Sequence, residues 1–327
     1  MKTTLVTGAT GLVGNNIVRL LARRGRPVRA LVRDIAKASP LMPNNVELVR
    51  GDITDRDSLD AAMVDCTVVY HSAGLPEQWL REPATFDRVN AIGTHNTVEA
   101  SLAADVARFV YTSTIDTFTF PKPGSTFDET EIDPQPKATH YERSKQQADR
   151  IVVAAQQRGL PAIYVHPSGV YGPGPTTSPG TNQLIADLAR SSVPMLLPGG
   201  MPVVYSLDVA EGHIRAEEQA AIGARYILSE SYQSLQDVAA AVRLATGRSR
   251  IPPTMPLLIA SAVAAIGESI AKMTNKPPLL PKGQLTFLQY EARPVAERAI
   301  TELGWKPTSF LDGLAETLAF LKAAGRI

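Results

Sequence analysis

Tyr141 and Lys145 stand four residues apart, so a helix running through them carries the phenol and the ammonium on one face. This is the only Tyr-x-x-x-Lys in the chain, and one loop upstream lies a run of hydroxyls, Thr112, Ser113 and Thr114. Hydroxyls there are placed to hydrogen-bond a carbonyl oxygen, although Ser and Thr also cap helices and form turns. A second constellation opens the chain. Gly8, Gly11 and Gly14 follow the apolar pair Leu5 and Val6 and precede a helical pattern with Ile17, Leu20 and Leu21 inward and Arg19, Arg23 and Arg24 outward, ended by Gly25. A helix start offers N–H groups without internal partners and a partial positive charge, which suits a diphosphate. Gly8 permits a tight turn, Gly11 the approach of the phosphates and Gly14 the contact of helix on strand. The spacing is one residue longer than the dinucleotide fingerprint G-x-G-x-x-G.

The elements that must position these residues alternate. Strands are expected at Val28 to Val32, Val46 to Val49, Thr67 to Tyr70, Val106 to Tyr111 and Ile163 to Val165, with helices at Ser58 to Met63, Pro83 to Ala104 and Tyr141 to Gln157 between them. That alternation predicts an α/β fold with a doubly wound, parallel Rossmann-type sheet and a smaller, mostly helical C-terminal region. Ligands of such sheets sit beyond the carboxyl ends of the strands, which places Asp52, Ala73 and Gly74 on the cofactor side. Asp52 is then an acceptor for the adenine amine. The second strand ends in Val32 and Arg33 where an NAD enzyme carries a carboxylate; the guanidinium favours the extra phosphate of NADP(H), while the neighbouring Asp34 keeps NAD(H) open. Residues 120–136 read as an irregular loop, 203–209 and 223–228 as strands returning to the main sheet around a helix at 209–221, and 182–190 as a helix in a proline-rich stretch expected to set substrate specificity. The dinucleotide-binding domain is taken as 1–166 plus about 203–230, and the substrate-binding region as about 167–202 and 231–327.

Bulk properties narrow the partners. The chain has 327 residues, 44% hydrophobic and 20% charged, and a net charge of +1, which provides no basic field for nucleic acid. Small molecules and a second copy of the chain remain. One cysteine, Cys66, cannot form an internal disulfide, and a strand that starts almost at Met1 leaves no room for a signal peptide, so a cytoplasmic setting is expected. The longest apolar run, Pro256 to Ile266, is too short to span a bilayer; core packing is expected of it, with a peripheral membrane contact as the alternative. No metal-ligand pattern stands out.

GATGLVG, GDITD, VYHSAG, VNAIGTHN, YTST, HYERSK and HPSGVYGPG, in this order, resemble the extended short-chain dehydrogenase/reductase superfamily, the NAD-dependent epimerase/dehydratase family. The likeness covers almost the whole chain and looks nearest to dihydroflavonol reductases, 3β-hydroxysteroid dehydrogenases and hopanoid-associated sugar epimerase-like proteins. It implies that Tyr141 is the acid/base, that Lys145 binds the nicotinamide ribose and that Thr114 orients the substrate oxygen, with Ser113 as fallback because the family commonly has Ser at position 114. It also implies a cofactor held along Gly8, Thr10, Gly11, Leu12, Val13, Gly14, Arg33, Asp52, Ile53, Ser72, Ala73, Gly74, Asn90, Thr112, Tyr141, Lys145, Pro167 and Val170, and a homodimer through the helices of Asn90 and Tyr141. His166 departs from the Arg or Asn usual there, and a structural role is expected of it. A phenol near pKa 10 is a poor base at neutral pH; lowering it by about three units takes roughly 4 kcal/mol, which Lys145 and the positive nicotinamide ring are expected to supply.

The first function this supports is NADP(H)-dependent reduction of a ketone or aldehyde, or oxidation of the alcohol. The alternative is an epimerase or dehydratase acting on a nucleotide sugar; a cofactor-sensing regulator is disfavoured by the complete Tyr and Lys pair. Nucleotide-sugar enzymes of this likeness hold the diphosphate with an Arg shortly before the segment matching Val203 to Asp208, and here no Arg occurs between Ser191 and Leu207. Trp79 and Leu80 are then expected to contact an apolar substrate.

Overall fold

The computed structural model describes residues 3–77, 79–175, 180–247, 250–274, 276, 278 and 280–327. In chain order its strands are β1 (Thr3–Thr7), β2 (Val28–Val32), β3 (Val46–Arg50), β4 (Cys66–His71), β5 (Arg108–Thr112), β6 (Thr126–Phe127), β7 (Ala162–Pro167), β8 (Gly169–Tyr171), β9 (Gly200–Tyr205), β10 (Arg225–Leu228), β11 (Ser231–Ser234) and β12 (Arg293–Pro294). Seven of them form one parallel sheet in the order β10-β7-β5-β4-β1-β2-β3. β1, β4, β5 and β7 are almost wholly buried, as strands covered by helices on both faces must be. On one face lie α1 (Leu12–Arg23) and, later in the chain, Ser206–Gln219, whose Val209, Ala210 and Ile214 share a core with Ile17, Val18 and Leu21. On the other lie α2 (Arg56–Ala62), α3 (Gly93–Ala103) and α4 (His140–Gln157), which bury Leu59, Val98 and Val152 against Leu5, Val69 and Phe109.

The chain lays β2 and β3 on one side of β1 and β4, β5, β7 and β10 on the other. That reversal opens a crevice at the carboxyl ends of β1 and β4, where Thr7 is in register with His71 and His71 with Tyr111. Every candidate residue named from a strand end borders this edge.

Four expectations need correcting. The strand read at 203–209 does not return to the main sheet: β9 lies between β8 and β11 in a separate three-stranded sheet, because the chain after Pro167 continues into β8, which pairs with it. The helix read as 83–104 is interrupted; Ala84–Phe86 leads through a π-helical turn, Asp87–Ile92, into α3. Within the loop read at 120–136, β6 pairs in parallel with β12. The C-terminal region is mostly helical, with α5 (Thr181–Ala189), α6 (Ser206–Gln219), α7 (Leu235–Thr246), α8 (Leu257–Thr274), α9 (Lys282–Gln289), α10 (Glu297–Leu303) and α11 (Phe310–Ala323). The apolar run at 256–266 does form a helix, but its large side chains face outward rather than into a core: Leu258 is 85% exposed, and the buried side is made of Ala260 and Ala264.

Candidate active site

The glycine turn meets the geometric demands of a diphosphate cradle. Gly8 has φ +69°, and a Cβ there would lie 2.6 Å from the backbone of Ser72 and Ala73; a Cβ on Gly14 would lie 2.3 Å from the Gly8 carbonyl oxygen. The first helical bond of α1 runs from Asn15 N to Gly11 O, 2.9 Å, so the amides of Leu12, Val13 and Gly14 precede the ladder. No side chain caps this end, no acid sits in its first turn, and Thr10, Gly11, Leu12 and Val13 are all partly exposed. The positive end of the helix therefore faces the crevice uncompensated. Residues 172–175 approach α1 here, since Asn16 Nδ2 donates to the Pro173 carbonyl at 2.8 Å.

Two buried histidines hold the neighbouring strand ends, and their bonding fixes their tautomers. Thr94 donates to the Asn90 carbonyl at 2.6 Å and must accept from His71 Nε2 at 2.9 Å; His71 Nδ1 then accepts from Thr7, whose oxygen receives the Ala73 amide. His213 Nδ1 donates to the Val209 carbonyl, leaving Nε2 to accept from Thr112 at 2.9 Å, and Thr112 accepts from Ser72 at 2.8 Å. Burial pushes the two imidazoles down to about 3 and about 4, so both are neutral at pH 7. Asn90 is buried and clamps the segment after β4: its carbonyl accepts from Leu75 N at 2.7 Å and its amide donates to Ser144.

α4 starts at a capping box, Thr139 with Glu142, which sets Tyr141 in the first turn and Lys145 one turn on. Lys145 is buried; its Nζ donates to the Thr112 carbonyl at 2.9 Å and lies 4.9 Å from the Tyr111 ring centre. Burial pulls this ammonium down to about 8, against the pull of Asp149 and Asp116. The half-buried Tyr141 meets Phe86 edge-on at 6.4 Å. Burial pushes the phenol well above its usual range, the Asp116 carboxyl adds to that, and the neighbouring Thr114 hydroxyl works the other way. The Lys145 ammonium is turned to the end of β5, and a carboxyl stands beside the phenol.

Of the hydroxyl run, Thr114 is the member beside Tyr141. Ser113 points into a buried ion pair, donating to Asp149 at 3.1 Å, while Arg225 holds both Asp149 oxygens at 3.1 and 2.9 Å. Arg225 also donates to His166 Nε2, so Nδ1 donates to the Thr114 carbonyl at 3.1 Å. His166, pushed down to about 3 by burial, is a structural support for the Thr114 backbone.

Asp116 is the residue that motif reading missed. Its Oδ2 accepts from the Thr114 hydroxyl at 2.9 Å, Oδ1 is buried without a partner among the described residues, and burial, with Glu142 next, pushes the carboxyl up to about 7. A carboxylate two residues past a hydroxyl run was its only signal in the sequence.

The remaining predicted residues lie farther along the edge. Arg33 is exposed, with no partner among the described residues, while Asp34 caps the turn at Ile35–Ala38 and pairs with Lys37 at 3.5 Å. Asp52 spends one oxygen on Thr54, and the adjoining Ile53 is buried against Gly93. Pro167 ends β7, Val170 sits half-buried in β8, and Trp79 and Leu80 are half-buried in the segment before Ala84.

The chain is similar to several known proteins. A protein of Synechocystis sp. carrying the provisional name dihydroflavonol 4-reductase is 30% identical over 327 residues, covering 98% of this chain and 95% of its own. Sterol demethylase protein B of Methylococcus capsulatus is 27% identical, over 99% and 100%. The crystal structure of gox2253 superposes with a TM-score of 0.88 at 31% identity over 100% of both chains. UDP-glucose 4-epimerase of Thermotoga maritima shares the fold, with a TM-score of 0.79 at 20% identity over 98% and 99%. The model of the NAD dependent epimerase/dehydratase family matches residues 4–228, from β1 through β10. With the glycine cradle, the uncapped helix start and the Tyr141 helix all inside that span, the chain belongs to the NAD-dependent epimerase/dehydratase family, whose members bind a nicotinamide dinucleotide.

Proposed function

We propose that this protein is an NADP(H)-dependent carbonyl reductase, running in reverse as an alcohol dehydrogenase, on a predominantly apolar substrate. The observation that carries the reading is the Thr114, Asp116 and Tyr141 group: a phenol kept protonated by burial and by a neighbouring carboxyl is in the form required to give a proton to a carbonyl oxygen. A bound nicotinamide cofactor supplies the hydride. Gly8, Gly11 and Gly14 with the amides of Leu12 and Val13 hold its diphosphate, and Arg33 holds the 2′-phosphate. Thr114 and Tyr141 orient the carbonyl oxygen, and Tyr141 protonates it as the alcohol forms. Lys145 positions the ribose from the floor of the site. The relatives' names point to bulky apolar substrates, which Trp79 and Leu80 suit.

The second reading is an epimerase or dehydratase acting on a nucleotide sugar, favoured by Asp116, whose carboxyl near neutrality is a second acid/base beside Thr114. The absence of an Arg where such a diphosphate needs a fixed cation argues against it. Arg225 is committed to Asp149, and Arg215 to Glu211 and the Leu303 carbonyl; the stretch from Ser191 to Leu207 has no Arg. A homodimer and a cytoplasmic setting complete the proposal.

The test is NADPH oxidation by the purified protein against a panel of ketones, aldehydes and nucleotide sugars. Turnover of an apolar carbonyl compound, reduced by a factor of about 100 or more in Tyr141→Phe with NADPH affinity retained, is the expected result. Turnover confined to a UDP-sugar puts the second reading first.

A further inference from the structure

Helix α8 is amphipathic the wrong way round for a core helix. Ala260, Ala264 and Ala271 are its buried side, the first two packed with Leu280 and Leu285, while Leu258, Ile259, Ile266, Ile270 and Met273 are 85, 52, 61, 53 and 84% exposed. At about 100° per residue these five side chains share an arc of roughly 120°. The hydroxyl within that arc, on Ser269, donates to the Ala265 carbonyl at 3.0 Å. Eighteen residues make a rod about 27 Å long. An apolar strip of that length on an outer surface marks a place where something binds, and no described helix is long and apolar enough to cross a membrane.

Charge identifies the occupant. The whole chain carries a net +1, yet residues 250–282 hold Arg250, Lys272, Lys276 and Lys282 against Glu268 alone. Glu268 is already engaged, accepting from the Lys282 amide at 3.0 Å and lying 3.7 Å from its ammonium. Two copies joined through this face would bring like charges together, whereas an anionic lipid surface complements both the apolar strip and the basic excess of this stretch of sequence. We propose that α8 is a peripheral docking helix that lies in the plane of an anionic bilayer surface. α8 packs beside α9, and Tyr290, immediately after α9, meets Phe120 edge-on at 5.0 Å and feels the charge of Asp116. The inference rests on the exposed helix and its charges, independently of which carbonyl compound is reduced.

The experiment is co-sedimentation of the full-length protein with vesicles of equal parts phosphatidylglycerol and phosphatidylcholine, beside vesicles of phosphatidylcholine alone. Binding to the first, weakened by 0.5 M salt and about tenfold or more weaker to the second, is expected. The triple variant Leu258→Gln, Ile266→Gln, Met273→Gln should lose at least tenfold of that binding with an unchanged thermal midpoint, since all three side chains are exposed. Lys276→Ser with Arg250→Ser should weaken binding to the anionic vesicles only. No binding to anionic vesicles, or binding that the triple variant leaves intact, overturns the proposal. So does sedimentation equilibrium showing a dimer that the triple variant converts to monomer, which assigns the face to a second copy.

Discussion

Asp116 and Tyr141 form a pair whose protonation states depend on each other's neighbourhood. The Asp116 carboxyl is pushed up from 3.8 to about 7, mainly by burial. Between about pH 4 and pH 7 the folded protein therefore keeps a proton that the unfolded chain releases. The stabilising contribution is complete below about pH 4 and is lost as pH rises through about 7. Asp116→Asn should remove a slope of up to about 1.4 kcal/mol per pH unit across that window, read from denaturant unfolding at pH 5, 6, 7 and 8. An identical slope in the variant would mean that the carboxyl is ionised in the fold. At the other end of the site, Arg33 is exposed with no partner among the described residues, since Asp34 is spent on Lys37. Arg33→Ala should cost about 1 to 3 kcal/mol of NADPH binding, with little change for NADH. Equal affinities of the unmutated protein for the two cofactors would refute that assignment.

At the scale of the element, the turn into α1 separates two kinds of glycine. A Cβ on Gly14 would stand 2.3 Å from the Gly8 carbonyl oxygen, whereas one on Gly11 would stand 3.2 Å from it, a tight contact that a shift of a few tenths of an ångström relieves. Gly14→Ala should thus weaken the fold itself by about 1 to 3 kcal/mol, because the helix must move off the strand. Gly11→Val should cost the fold less than Gly14→Ala and abolish cofactor binding, because its side chain fills the diphosphate position. Thermal melts paired with cofactor titration distinguish the two; a Gly11→Val protein that still binds NADPH would show that the diphosphate lies elsewhere. α4 is organised differently. Its capping box and Lys145 are local to one helix, but Arg225 on β10, His166 on β7 and Asp149 on α4 converge from three elements to hold the hydroxyl run.

For the whole molecule, the crevice between β1 and β4 and the glycine cradle predict that a dinucleotide binds only the folded state. NADPH at about 100 times its dissociation constant should add roughly 2.7 kcal/mol of stability, seen as a rise in thermal midpoint, while UDP-glucose at the same concentration should add none. The reverse pattern would favour the nucleotide-sugar reading.

The parts that depend on local order could be read from the amino-acid sequence. The alternation of strands and helices, the glycine turn at 8–14 and the Tyr141 and Lys145 pair were all legible because strand, turn and helix periodicities are written in neighbouring residues. The parallel sheet followed from that alternation. Other features depend on residues far apart in the chain. The assignment of β9 to a separate sheet depends on partners in β8 and β11. Which hydroxyl faces Tyr141 depends on Asp149 and Arg225 claiming Ser113. The Asp116 carboxyl and the neutral histidines owe their states to burial, which no spacing encodes. The outward face of α8 was hidden for the same reason: an apolar run has the same periodicity whether its large side chains meet a core or the solvent, and only the packing of Ala260 and Ala264 against Leu280 and Leu285 settles which side is turned in.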